Sequence, residues 1–357
     1  MLALPHAQTD WCYMLDEVIG CYTHIISTIL RYQNVVLLCN DTVEARKRLS
    51  QEITGTWNDR SDGDTAVMTT TDDTTLTLVQ VETNDTWARD FGGITVFDSL
   101  LQDGGQSRRL PKTEKRVLDF GFNGWGLKFA ANSDNLVTER LFARYGDIWS
   151  EYKYLDLKQI ILEGGSIESD GQGTILTTEQ CLLSDNRNYQ EKSGLEALLS
   201  RHLGADRFLW LRNGALQGDD TDSHVDTLAR FLSPRTVAIS SCDDPSDLHY
   251  AELGAMKDEI SSLGYDVIEL PIPRAIFYQG RRLPATYANF VFLNGALIVP
   301  TYADPADPHD PNRAADELAL SRLRAACTDR EVVGVNARVF IRQNGSLHCS
   351  CMNKFKL

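Results

Sequence analysis

The chain has 357 residues, 42% apolar and 24% charged, the balance of a globular protein rather than a disordered or fibrous one. Its 35 Lys and Arg against 50 Asp and Glu give a formal charge of -15, which argues against a surface built for phosphate backbones and suits a cationic partner. No apolar run approaches bilayer length, MLALPHAQTDW has neither a basic nor a signal-like leader, and eight scattered cysteines read as reduced thiols. The expected setting is therefore cytoplasmic, with no membrane and no nucleic acid as partner.

Taken in chain order, the stretch from about Met14 to Leu30 reads as a helix, followed by the strand NVVLLC. One layout then recurs five times: an apolar strand, a kink carrying polar residues, a second apolar strand, and in most cases a helix. The five stretches are TLTLVQVETNDTWARDFGGITVF, QIILEGGSIESDGQGTILTT, FLWLRNGALQGDDTDSHVDTLARFLSPRTVAIS, DVIELPIP with ANFVFLNGALIVPTY, and EVVGVNARVFIRQNGSLHCSC. The polar, Gly-containing segment LQDGGQSRRLPKTEKR reads as an excursion loop inside a single domain spanning 1–357.

Between the strands, Leu195, Leu198, Leu199 and Leu203 recur at helical spacing before Gly204, as do Leu253, Met256, Ile260 and Leu263 before Gly264. A third helix is expected from about Ala314 to Cys327, after the Pro- and Asp-rich DPADPHDPN. Alternating strands and helices make an α/β protein. Five such units closed into a ring would direct one kink each at a common centre.

The kinks carry Trp87, Arg89 and Asp90 in WARD, Glu163 in LEGG, His224 and Asp226 in SHVD, Asn289 in YANF, and His348 and Cys349 in LHC. A thiol, imidazoles and carboxylates together are what thiol chemistry on a cation requires. On a strand, His224 and Asp226 would share a face, whereas His348 would point away from Cys349 and Cys351 would share its face. The Cys-x-Cys spacing has no second Cys or His pair near it in sequence, so no metal is expected.

NDTWARDFGG, FGFNGWG, LEGGSIESDGQGTILTTEQCLLSDNRN, GDDTDSHVDTLARF, YANFVFLNGALIVP and GSLHC together resemble the agmatine deiminase and bacterial-type peptidylarginine deiminase family, part of the guanidino-group-modifying superfamily. The resemblance covers most of the chain in the family's order. It implies a five-bladed α/β propeller, a pentein with pseudo-fivefold repeats around a central active site. It also implies cofactor-free hydrolysis of a small cationic guanidino substrate, agmatine first, to N-carbamoylputrescine and ammonia, a step of polyamine metabolism. Rival readings are a peptidylarginine deiminase and a non-catalytic binder of guanidino or polyamine cations. A homo-oligomer is compatible with either.

Carried onto this sequence, the resemblance makes Cys349 the nucleophile that forms a covalent amidino intermediate, against the plainer reading of a buried small side chain. His224 would protonate the departing ammonia and then activate water. Asp90 and Asp226 would hold the planar guanidinium, although Asp90 has Arg89 as an alternative ion-pair partner. Glu163 would orient His224 and favour its charged form, or else cap the turn at Gly164 and Gly165. Trp87 would stack on the ligand or sit in the core, Asp220 would contact the ligand or be a solvated turn residue, and Asn289 would fix local backbone. The sequence departs from the family at Asn344 before the nucleophile and at Ser350, Cys351, Met352 and Asn353 after it. Family members also usually carry more chain ahead of MLALPH.

Overall fold

The computed structural model describes residues 1–59, 63–98, 114–188 and 191–354. The expected helices are present as Leu15–Leu30, Lys192–Leu203, Tyr250–Ser262 and Asn312–Ala326. Lys192–Leu203 buries Leu195 and Leu199 completely, and Gly204 ends it at φ 70°, the left-handed cap that a residue without Cβ adopts freely.

The strands form one five-stranded sheet, four three-stranded sheets and a two-stranded hairpin among the described residues. Each three-stranded sheet mixes one antiparallel and one parallel pairing. In the last of them, Asn294–Gly295 folds Val291–Leu293 back on Ala296–Thr301, and Ala296–Thr301 then runs parallel to Glu331–Asn336. Parallel neighbours need a crossover, and the helices supply it: Asn312–Ala326 carries the chain from Ala296–Thr301 to Glu331–Asn336.

This topology corrects the repeat unit read from sequence. The two strands flanking a kink do not pair with each other; the kink carries the chain out of one sheet into the next. Thr75–Gln80 pairs with Val35–Cys39, whereas Ile94–Asp98, beyond the WARD kink, pairs with Glu114–Gly121. Lys153–Ile161 and Ile167–Ser169, either side of LEGG, likewise lie in different sheets. A second correction concerns the fifth stretch, where the expected second strand is absent: residues 347–350 form a turn, with Ser350 N–H donating to Ser346 and Cys351 N–H to His348. The excursion loop lies mostly outside the described residues, but Glu114, Lys115 and Arg116 belong to a strand.

Under the kinks lies an apolar core that includes Trp11, Tyr22, Trp87 and Phe340, their rings packed 5.1–6.4 Å apart. The WARD kink thus rests on aromatic packing through Trp87. No helix among the described residues is long and apolar enough to cross a membrane.

Candidate active site

One cavity of about 470 Å³ is lined by Asp90, His224, Asp226 and Cys349, with Trp87, Trp125 and Asp220 beside them. Three kinks contribute lining residues to it, those of WARD, SHVD and LHC.

Asp90 lies in the short helical turn Ala88–Phe91 and is aimed by two donors, Trp125 Nε1 to Oδ2 at 2.9 Å and Gly165 N–H to Oδ1 at 2.9 Å. It has no bond to Arg89, whose guanidinium instead donates to Asn353 Oδ1 at 3.1 Å and lies 3.6 Å from Met352 Sδ. Gly165 has a steric reason to be glycine: a Cβ there would come within 2.7 Å of Asp90 Oδ1 and 2.8 Å of His224 Nδ1.

His224 and Asp226 both reach the cavity, though not for the reason of strand alternation. His224 precedes the single 3-10 turn Val225–Thr227, which turns Asp226 to the same side. His224 Nδ1 lies 3.7 Å from Asp90 Oδ1, and its Nε2 is buried with no hydrogen-bond partner. Asp226 Oδ2 accepts from His348 Nδ1 at 2.7 Å and lies 3.8 Å from Cys349 Sγ, while Oδ1 is buried with no partner. Buried polar atoms without partners are costly, so a site that keeps one is ready for a polar ligand.

The LHC segment is a turn, and this overturns two expectations drawn from strand alternation. His348 does not point away from the chemistry; it bonds the same carboxylate that faces the thiol. Cys351 faces a different cavity, lined by Met352, Val291 and Lys354 among others. Asn289 does more than fix backbone. Its Oδ1 accepts the His348 and Cys349 amides at 2.8 and 3.3 Å, and its Nδ2 lies 3.3 Å from Cys349 Sγ.

The electrostatics fit a cation's site in its free state. Burial, then the charges of Asp226 and Asp90, push the Cys349 thiol well above its ordinary range. Burial, then Asp226, pushes Asp90 well above the usual carboxylate range, and burial pushes Asp226 up to about 7. His224 is held well below its ordinary range by burial and by the charges of Arg187 and Lys128. A guanidinium placed between the carboxylates would stabilise both as anions and offset the two charges that hold the thiol protonated.

Glu163 is fully buried, and its carboxylate is taken up by Arg187, whose Nε lies 3.0 and 3.1 Å from the two oxygens. Its charge is therefore balanced rather than free to favour a charged His224. Glu163, Cys181 and a ring nitrogen of His224 gather within 4.8 Å, a spacing a metal could use. The guanidinium already bound to the carboxylate makes that position unfavourable for a second cation.

Trp87 is a buried core residue packed on Trp11 and Phe340, and it also lines the cavity. Asp220 is on the cavity wall, with Oδ2 accepting from Asn344 Nδ2 at 2.8 Å and its carboxyl pushed up to about 6 by burial. Sequence reasoning missed Trp125, Arg187 and Arg281. Arg281 puts a cation on the cavity wall, where Arg89, the arginine of the WARD kink, is absent.

Solved structures carry similar folds across the whole chain. A cysteine-to-serine variant of C. jejuni agmatine deiminase with substrate bound is 38% identical, covers 100% of this chain and 92% of its own, and superposes with a TM-score of 0.83. The agmatine deiminase of Enterococcus faecalis is 25% identical, with coverage of 98% and 90% and a TM-score of 0.75. The sequence profile of the Porphyromonas-type peptidyl-arginine deiminase family matches residues 1–354, and the chain belongs to that family.

Proposed function

We propose that the protein is a deiminase that hydrolyses agmatine to N-carbamoylputrescine and ammonia, with Cys349 as nucleophile and no cofactor. The observation that carries this reading is the meeting of Cys349, His224 and the two carboxylates Asp90 and Asp226 in one cavity. A planar guanidinium held between two carboxylates presents its carbon to a thiol. Full-length similarity to agmatine deiminase structures supports the same reading. The five larger sheets, joined by kinks that supply this one cavity, are read as five blades of an α/β propeller forming a single domain.

In the proposed reaction the thiol proton passes to neutral His224 as the bound cation stabilises the thiolate. Sulfur bonds to the guanidinium carbon, and the imidazolium gives its proton to the leaving nitrogen, releasing ammonia. His224, neutral again, takes a proton from water as its oxygen bonds to the same carbon. The C–S bond then breaks as the new hydroxyl gives its proton to sulfur, and the imidazolium loses its proton to solvent or ammonia, leaving the ureido product, the free thiol and neutral His224.

Agmatine is favoured over arginine by the charges around the cavity. Among the described residues, Asp10, Asp85, Asp219 and Asp220 line it in addition to the clamp, against one basic side chain, Arg281. A dication suits that field better than a zwitterion. Ammonia release from agmatine, free arginine and an arginine peptide is the test, with the highest kcat/KM expected for agmatine. A better arginine peptide would make the protein a peptidylarginine deiminase acting through the same residues. Binding without release from any of the three would make it a binder.

Binding should also depend on pH in a defined direction. Asp226 sits at about 7 in the free site, and a bound guanidinium lowers that value, so protonation competes with the ligand below it. Calorimetry of agmatine on Cys349→Ala should show affinity falling by about tenfold or more per pH unit below 7, with proton release on binding. Affinity that is flat from pH 5 to 8 would remove Asp226 from the clamp.

A further inference from the structure

Arg187 does not line the cavity, yet one of its partners, Thr221, does. Beyond the two contacts of Nε with Glu163, its Nη1 donates to Asp222 Oδ2 at 2.9 Å and to Ser184 Oγ at 3.2 Å, and its Nη2 to the Thr221 carbonyl at 3.0 Å. The guanidinium is fully buried. It therefore joins two kinks, the one that carries Glu163 and the one that carries His224.

The second kink needs such a tie. Asp222 and Ser223, immediately before His224, both have left-handed backbone at φ 66° and 64°, a conformation unfavourable for residues with side chains. Lys128 adds a rim contact from the facing loop, donating to Asp222 Oδ1 and the Asp220 carbonyl at 2.7 Å each. Thr221 Oγ1 in turn accepts the His224 amide at 3.2 Å, so the residue whose carbonyl Arg187 holds is also the one that seats the His224 backbone.

We propose that Arg187 is a positioning residue of this site, one that neutralises Glu163 beside His224 and pins the strained turn presenting the imidazole, without touching substrate. The inference rests on the deiminase reading. Charge balance is the reason an arginine serves here. The groups facing His224 are Asp90, Glu163, Cys181, Asp226 and His348, with Arg187 and Lys128 as the nearby cations. Removing Arg187 leaves Glu163 as an uncompensated anion, which favours the imidazolium and raises the pH at which His224 becomes neutral. A lysine keeps the charge but cannot bond Glu163, Asp222 and Thr221 together as a planar fork does.

The test uses Arg187→Gln, Arg187→Lys and the double variant Arg187→Gln with Glu163→Gln. It has two readouts, the pH profile of kcat/KM for agmatine and the NMR titration of the His224 imidazole. In Arg187→Gln, kcat is expected to fall about 10²-fold with KM little changed. The His224 midpoint and the acidic limb should both move up by about one pH unit or more. The double variant, with both charges gone, should return the midpoint toward its original position, which a purely structural role would not do. Arg187→Lys should keep the midpoint while still losing kcat, and it decides the matter even if Arg187→Gln fails to fold. An unmoved midpoint in Arg187→Gln, the same displacement in the double variant, or normal kcat in Arg187→Lys would each overturn the proposal. If the wild-type protein released no ammonia from any guanidine, the deiminase reading would fail, whereas the His224 titration would still report on Arg187.

Discussion

Replacing Cys349 by alanine is expected to abolish ammonia release, a loss of at least about 10⁴-fold, while agmatine still binds. The substitution deletes the only cavity-lining thiol among the described residues and leaves Asp90 and Asp226 in place. Stability should change by no more than about 1–2 kcal/mol, because little volume is removed and Asn289 still accepts both amides of the turn. Cys351 is the internal control. Its thiol faces another cavity, where burial pushes it above its ordinary range, so Cys351→Ala should retain turnover. Mass spectrometry of wild-type protein quenched during turnover should find a substrate-derived adduct on Cys349. An adduct on Cys351, or activity persisting in Cys349→Ala, would refute the mechanism.

The chemistry was easier to read from sequence than the geometry that delivers it. Helices announced themselves, since Leu195 and Leu199 recur at helical spacing before a glycine, and a local period needs no tertiary information. Pairing between strands is a long-range property, and periodicity could not tell that each kink leaves one sheet for another. The misplacement of His348 had a local remedy. Asn344–Gly345 is a turn dipeptide, Asn344 adopts φ 63°, and reading it as a stop would have placed LHC in a turn rather than on a strand. Arg187 had no such signal. Its partners Glu163 and Asp222 are 24 and 35 residues away, and in sequence it looks like any loop arginine. In sequence Asn289 reads as backbone support, because an asparagine seldom declares its partners, and these lie 59 and 60 residues further on.

Asp226→Asn should push two measurements in opposite directions. Deimination should weaken, because an anion that faces the substrate's cation is lost while the amide stays bound to its neighbours. Losing one partner of a buried charged pair costs about 2–5 kcal/mol, or roughly 30- to 5,000-fold in kcat/KM. Thiol reactivity should instead rise. After burial, the charge of Asp226, 3.8 Å from Sγ, is the largest influence holding the Cys349 thiol above its ordinary range. At pH 8 that carboxylate, with its midpoint at about 7, is mostly ionised in the free protein, so removing it makes the thiolate easier to form. Alkylation of Cys349 by iodoacetamide at pH 8, followed by peptide mass spectrometry, should therefore be faster in Asp226→Asn than in wild type. A variant that merely disturbed the fold would lose deimination and alter alkylation at other cysteines too. Slower alkylation confined to Cys349 would mean that Asp226 acts on the thiol as a proton acceptor, and the proposed transfer to His224 would have to be abandoned.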